Sequence, residues 1–184
     1  MPTVNLEPNA DVSNSPAWTL TSGSDVRPLI GTDYVGGGHL DSDYIYATAN
    51  GKTCVVQFAD FDNTGVASID SVQAVLRTVN GTKGQAYDMG MTISNNGTGS
   101  ANWARETVSQ VSTRDYVTKT FTARTTSTSG VSAWTDTDVD NLIMEIKLMS
   151  LTGGTTQVAY AYFIVTYTEA AVAAGNAIFF GTNF

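Results

Sequence analysis

The chain has 184 residues, enough for one domain with a substantial core. Only 14% of them are charged, against ~25% in ordinary globular proteins, and the net charge is −8 with nine scattered basic residues. That balance excludes nucleic acid as a partner, because phosphate binding needs clustered Lys and Arg.

Polarity comes from Thr, Ser, Asn and Gly, a composition suited to strands and turns. One cysteine, Cys54, allows no internal disulfide. The N-terminus MPTVNLEPNADV has no basic-then-apolar leader, and no segment approaches the ~20 apolar residues of a membrane span. Synthesis and folding in a cytoplasm, with no membrane partner, are expected.

In chain order, residues 1–16 read as an N-terminal arm, 17–168 as a β-sandwich domain and 169–184 as an apolar C-terminal tail. About eight strands are predicted from period-two alternation and Gly/Asn turn signals. The first covers 17–21, anchored by Trp18. The second surrounds Tyr44, Ile45 and Tyr46 and ends at the Asn50-Gly51 turn. The third is 53–61. The fourth, 69–79, puts Val72, Ala74 and Leu76 on one face and Gln73, Val75 and Arg77 on the other.

Asn80-Gly81 turns the chain into a fifth strand, where Tyr87, Met89, Met91 and Ile93 alternate. Residues 94–102 read as a polar loop. The sixth strand is 116–124, and 142–151 with 157–168 form a closing hairpin around TGGT. Thr135 followed by Asp138 has the spacing of a capping box, predicting one helical turn before the seventh strand. The fold class is therefore all-β: an antiparallel β-sandwich of about eight strands with extended arms at both ends, made jelly-roll-like by the resemblance that follows.

The succession LEPNADVSNSPAW, DSDYIY, VQAVLR, YVTKTFTA and WTDTDVDNL, leading into the Tyr-rich hairpin, resembles a jelly-roll module of tailed-bacteriophage virion proteins. The resemblance spans residues 6–167 and leaves the tail outside. It implies a structural protein that decorates or cements a capsid, or sits on a tail. It brings no catalytic motif.

Candidate chemistry is sparse. His39 is the single histidine, follows Gly36-Gly37-Gly38 and has no GxSxG partner, so it reads as a loop residue. One Cys and one His do not make a zinc site. Asp136, Asp138 and Asp140 alternate like the start of a calcium loop. The turn glycine is replaced by Asn141 and the bidentate glutamate by Lys147. Asp41 with Asp43, and Asp60 with Asp62, are further acidic pairs that ordinarily cap turns. No metal and no cofactor are assigned.

Glycosidic hydrolysis would need two carboxylates facing across a cleft. Of Glu7, Glu106, Glu145 and Glu169, Glu145 reads as a surface charge beside Lys147, and no enzyme activity is expected. Asn80-Gly81-Thr82 and Asn96-Gly97-Thr98 match glycosylation sequons and read as turns. Tyr160 and Tyr162 share one face of the last strand. That face is either packed against core or a subunit, or is an aromatic strip for sugar rings.

The tail AAVAAGNAIFFGTNF has no charge, and Ile178, Phe179, Phe180 and Phe184 are its anchor candidates, with Val4 and Leu6 in the N-terminal arm. The expected function is a non-enzymatic protein on the outer capsid surface of a virion. It would be a homo-oligomer such as a trimer, bridging the major capsid protein or another virion protein. The alternative is a carbohydrate- or receptor-binding module of a phage tail or baseplate, with a glycan as ligand.

Overall fold

A computed structural model describes residues 1–14, 17–21, 23, 26, 30, 44–94, 104–127 and 132–171. Eleven strands lie in these residues: β1 (Thr3–Leu6), β2 (Pro8–Ser13), β3 (Thr19–Leu20), β4 (Ile45–Ala47), β5 (Thr53–Phe58), β6 (Val66–Asn80), β7 (Ala86–Ser94), β8 (Glu106–Val111), β9 (Val117–Thr120), β10 (Ile143–Leu151) and β11 (Thr156–Glu169). One short helix, α1 (Asp136–Asp140), precedes β10.

The strands form two antiparallel sheets. Sheet A has the order β3-β4-β11-β6-β9, with β1 also on β11, and sheet B the order β2-β5-β10-β7-β8. The pairs β4–β11, β5–β10, β6–β9 and β7–β8 nest inside one another, like a hairpin ribbon folded over itself. This nesting is the jelly roll, and its eight strands are β4 to β11. The antiparallel two-sheet sandwich matches the sequence expectation; the eleven strands exceed the about eight expected, the unexpected ones being β1, β2 and β8.

Alternation explains the core. Val72, Ala74 and Leu76 of β6 face Val165, Phe163 and Ala161 of β11, and all six are buried. Tyr87, Met89, Met91 and Ile93 of β7 fill the other sheet's inner face. Phe58 of sheet B meets Phe163 of sheet A edge to face, with centroids 4.5 Å apart. Both rings are fully buried, the geometry favoured by the aromatic quadrupole.

The capping box forms. Thr135 Oγ1 accepts from the Asp138 N–H at 3.2 Å, while Asp138 Oδ2 accepts from the Thr135 N–H at 3.0 Å. Asp140 Oδ1 then accepts from the Phe61 N–H at 2.9 Å, and Asp136 accepts from Asn63 Nδ2. Both bonds tie α1 to the loop between β5 and β6.

The N-terminal segment departs from its expected role as an arm. Strand β1 pairs with β11 from Thr3↔Thr166 to Leu6↔Phe163, and β2 pairs with β5 from Pro8↔Phe58. Leu6 is only 4% exposed and Val4 packs against the same core. These two residues, expected as anchors for another molecule, are used within their own sandwich. Pro8 obscured the pattern, yet it sits at the first residue of an edge strand, where no ladder donor is needed. Strand β8 was also missed, since ETVSQV offers one half-buried valine, Val108, and reads as loop. Of the expected tail, residues 172–184, including Ile178, Phe179, Phe180 and Phe184, lie outside the described residues.

Candidate functional site: the tyrosine face of sheet A

The outer face of sheet A gathers five of the chain's eight tyrosines: Tyr44, Tyr46, Tyr116, Tyr160 and Tyr162. Strand parity puts them there. Ile45 of β4 points into the core, so its neighbours Tyr44 and Tyr46 point out. In β11, Val158 is also a core residue, and simple alternation would turn Tyr160 inward. A register shift between Val158 and Tyr160 inserts Ala159 and re-aims Tyr160 outward, which leaves Ala161 and Phe163 in the core.

Across the sheet, Tyr46 lies opposite Gln157, which lies opposite Val79. The next row sets Tyr160 beside Arg77 and Arg77 beside Thr118. Tyr162, Val75 and Thr120 form a third row. Tyr160, with Tyr162 at 4.9 Å between centroids, is 2% exposed and donates its hydroxyl to Glu7 Oε1 at 2.8 Å. It is therefore covered on the outer face, with Glu7 over its hydroxyl, while Tyr162 stays half-buried. Neither forms an open platform for sugar rings, which was one of the two alternatives for this face.

The opening lies at the edge of this face. Tyr44, Tyr46, Gly81, Thr82, Thr155 and Gln157 line a cleft of about 350 Å³. The two tyrosine rings stand at 66° with centroids 6.2 Å apart, so they form walls rather than a flat table. Gln157 is held by Tyr116, whose hydroxyl donates to Gln157 Oε1 at 2.6 Å. With Oε1 engaged by Tyr116, the amide N–H groups are the remaining donors of this cleft-lining residue. The Arg77 guanidinium sits 5.3 Å from the Tyr116 ring centre, a cation–π contact that braces the bracing residue.

The cleft rim is built from two turns locked together. Gly81 N–H donates to Thr155 O at 2.9 Å, Asn80 Nδ2 donates to Gly153 O at 2.9 Å, and Thr82 N–H donates to Asn80 Oδ1 at 2.9 Å. Asn80 is fully buried, so its amide bonds are strongly favoured over solvent. Gly154 adopts φ +80°, and a Cβ there would fall 2.4 Å from Thr82 Oγ1. The Asn80-Gly81-Thr82 sequon is thus a structural turn in the cleft wall.

The other candidates are placed as follows. His39, Asp41, Asp43 and the second sequon lie outside the described residues. Asp136, Asp138 and Asp140 are used in helix and loop bonds, and Asp62 accepts from the Thr64 N–H at 3.0 Å. Among the described residues no group of three or more His, Cys, Asp and Glu could hold a metal ion. Glu145 pairs with Arg105 and not with Lys147, and Glu106 pairs with Arg124. Gly90 makes room for the first pair: a Cβ there would lie 2.6 Å from Arg105 Cδ. Burial drives the Cys54 thiol far above its ordinary pKa, which leaves it without thiolate chemistry.

Tyr44, Tyr46, Tyr116 and Gln157 were not singled out as a site from sequence. The available signal was Tyr44-Ile45-Tyr46, two aromatics flanking a buried residue. The partner contributed by β11 could be found only through the register.

No family model matches the chain, and no curated protein matches it. Among solved structures, the chain is similar to the CBM36-1 domain of a multidomain xylanase from the hindgut metagenome of Trinervitermes trinervoides. The identity is 11% and the TM-score 0.42, covering 93% of this chain and 100% of that one. A CBM4 structure matches at 19% identity and a TM-score of 0.33, covering 74% of this chain and 81% of the other.

Proposed function

We propose that this protein is a non-catalytic carbohydrate-binding module that holds a single glycan chain in the Tyr44–Tyr46–Gln157 cleft. The observation that carries the reading is the pairing of two tyrosine walls with a fixed amide at the mouth of an otherwise hydroxyl-lined groove. Sugar rings offer apolar C–H faces and a rim of hydroxyls. Tyrosine faces match the first, and Gln157, Thr82 and Thr155 match the second. The volume falls in the range of small-ligand sites, ~300–1,000 Å³.

Walls inclined at 66° cannot both lie flat on one planar surface. The ligand is therefore a soluble, twisted chain and not a crystalline polysaccharide face. Binding needs no acid or base, and the ion-paired Glu106 and Glu145 serve structure in this reading.

A glycan array followed by calorimetry on the hits tests the proposal. Tyr46→Ala should weaken binding by about tenfold to a hundredfold, or ~1.4–2.8 kcal/mol. Array-wide silence, or a Tyr46→Ala variant that binds as well as the parent, would refute it. The shell-decorating role implied by the virion resemblance competes with this proposal. Of its anchor candidates, Val4 and Leu6 lie within the sandwich, Tyr160 is bonded to Glu7 and Tyr162 is half-buried. Ile178, Phe179, Phe180 and Phe184 lie outside the described residues.

A further inference from the structure

The opposite end of the sandwich carries a second cavity, of about 270 Å³, lined by Val4, Phe61, Asp62, Thr64 and Tyr167. The Phe61 and Tyr167 rings meet at 66° with centroids 5.7 Å apart, and with Val4 they give the cavity an apolar wall. Asp62 is the one charged group on its lining. One Asp62 oxygen accepts from the Thr64 N–H at 3.0 Å, which fixes the carboxylate.

The surroundings are acidic. Asp60, Asp70, Asp136, Asp140 and Glu169 lie on the flanking segments, and the described residues of 58–70, 132–142 and 166–171 include no lysine or arginine; the cation at this end is the Met1 ammonium, next to Pro2, whose carbonyl accepts from the Tyr167 N–H. Asp70 accepts from the hydroxyls of Ser68 and Thr168, Asp136 from an amide and Asp140 from a backbone N–H. The partners of Asp70, Asp136 and Asp140 are neutral, so among the described residues nothing cancels these three charges. Glu106 and Glu145, each paired with an arginine, differ in this respect.

We propose that this pocket receives a lysine side chain from a partner polypeptide. A lysine stem of four methylenes suits a narrow apolar wall, and its ammonium would end at the rim beside Asp62. Aromatic faces stabilise a cation at short range, and the carboxylate completes the charge. The flanking carboxylates steer a basic segment toward this end and set its orientation. Ten residues of β11 separate Gln157 from Tyr167, or ~33 Å of extended chain, so glycan and partner can be held together.

The test is a titration of the 15N-labelled full chain with the capped peptide Ala-Ala-Lys-Ala-Ala, followed by NMR. Saturable shifts should appear at the amides of Phe61, Asp62, Thr64 and Tyr167. They should be absent with a peptide carrying norleucine in place of lysine. Asp62→Asn should weaken binding about tenfold, whereas Asp60→Asn, outside the lining, should change it less than twofold. Equal effects of the two variants, diffuse non-saturating shifts, or shifts produced by the norleucine peptide would each overturn the proposal. Tyr46→Ala should leave this titration unchanged, which separates its outcome from that of glycan binding.

Discussion

Truncating Leu6 to alanine is the sharpest perturbation of the N-terminal segment. Leu6 is 4% exposed and pairs directly with Phe163, itself fully buried beside Phe58. Buried Leu→Ala changes cost ~2–5 kcal/mol, and a strand paired on only one side can relax, so ~2–3 kcal/mol is expected. For a chain of this size each kcal/mol lowers the melting temperature by ~2–4 °C, giving a drop of ~4–12 °C. Val12→Ala is the matched control, since Val12 is 42% exposed on β2 and its truncation should change stability by less than ~0.5 kcal/mol. Urea unfolding followed by the fluorescence of the buried Trp18 and Trp134 measures both. A Leu6→Ala variant within ~0.5 kcal/mol of the parent would refute the integral-strand reading and return residues 1–16 to the status of an arm.

Two further outcomes follow from the turns and the acids. Gly154→Ala places a Cβ against Thr82 and Asn80 at positive φ; it should destabilise by ~1–2 kcal/mol and weaken glycan binding together, read by melting and by calorimetry. Asp88 is held below the ordinary carboxylate pKa by bonds first from Ser109 and then from Ser150. Its contribution is therefore fully present above the unfolded value near ~3.9 and lost as pH falls through the lower folded value. Asp88→Asn should flatten that acid limb in unfolding titrations, and an unchanged limb would contradict the assignment.

Much of the jelly roll was legible because its long strands alternate plainly. The β6 pattern of Val72, Ala74 and Leu76, and the β7 pattern of Tyr87, Met89, Met91 and Ile93, identify inner faces without any coordinates. The helix was legible from Thr135 and Asp138, since a capping box is a local contract between two side chains. Edge strands were not: Glu106–Val111 is solvated on one side and partly on the other, so burial leaves little periodic imprint. The cleft was illegible for another reason. It joins Tyr46 to Gln157 and Tyr116 to Gln157 through pairing register, and a single inserted residue, Ala159, decides which way Tyr160 points.

The place of β11 bears on how the protein is made. This strand lies between β6 on one side and β4 with β1 on the other, so sheet A has no centre until it arrives. A ribosome releases β1, β4 and β6 long before their common partner, and each waits with open edges and an apolar face. Folding must therefore follow synthesis of Thr156–Glu169, with the slow kinetics of distant pairings such as Leu6 with Phe163. During that interval the nascent chain exposes unpaired strand edges, and any truncation before Thr156 should yield aggregate in place of a smaller domain.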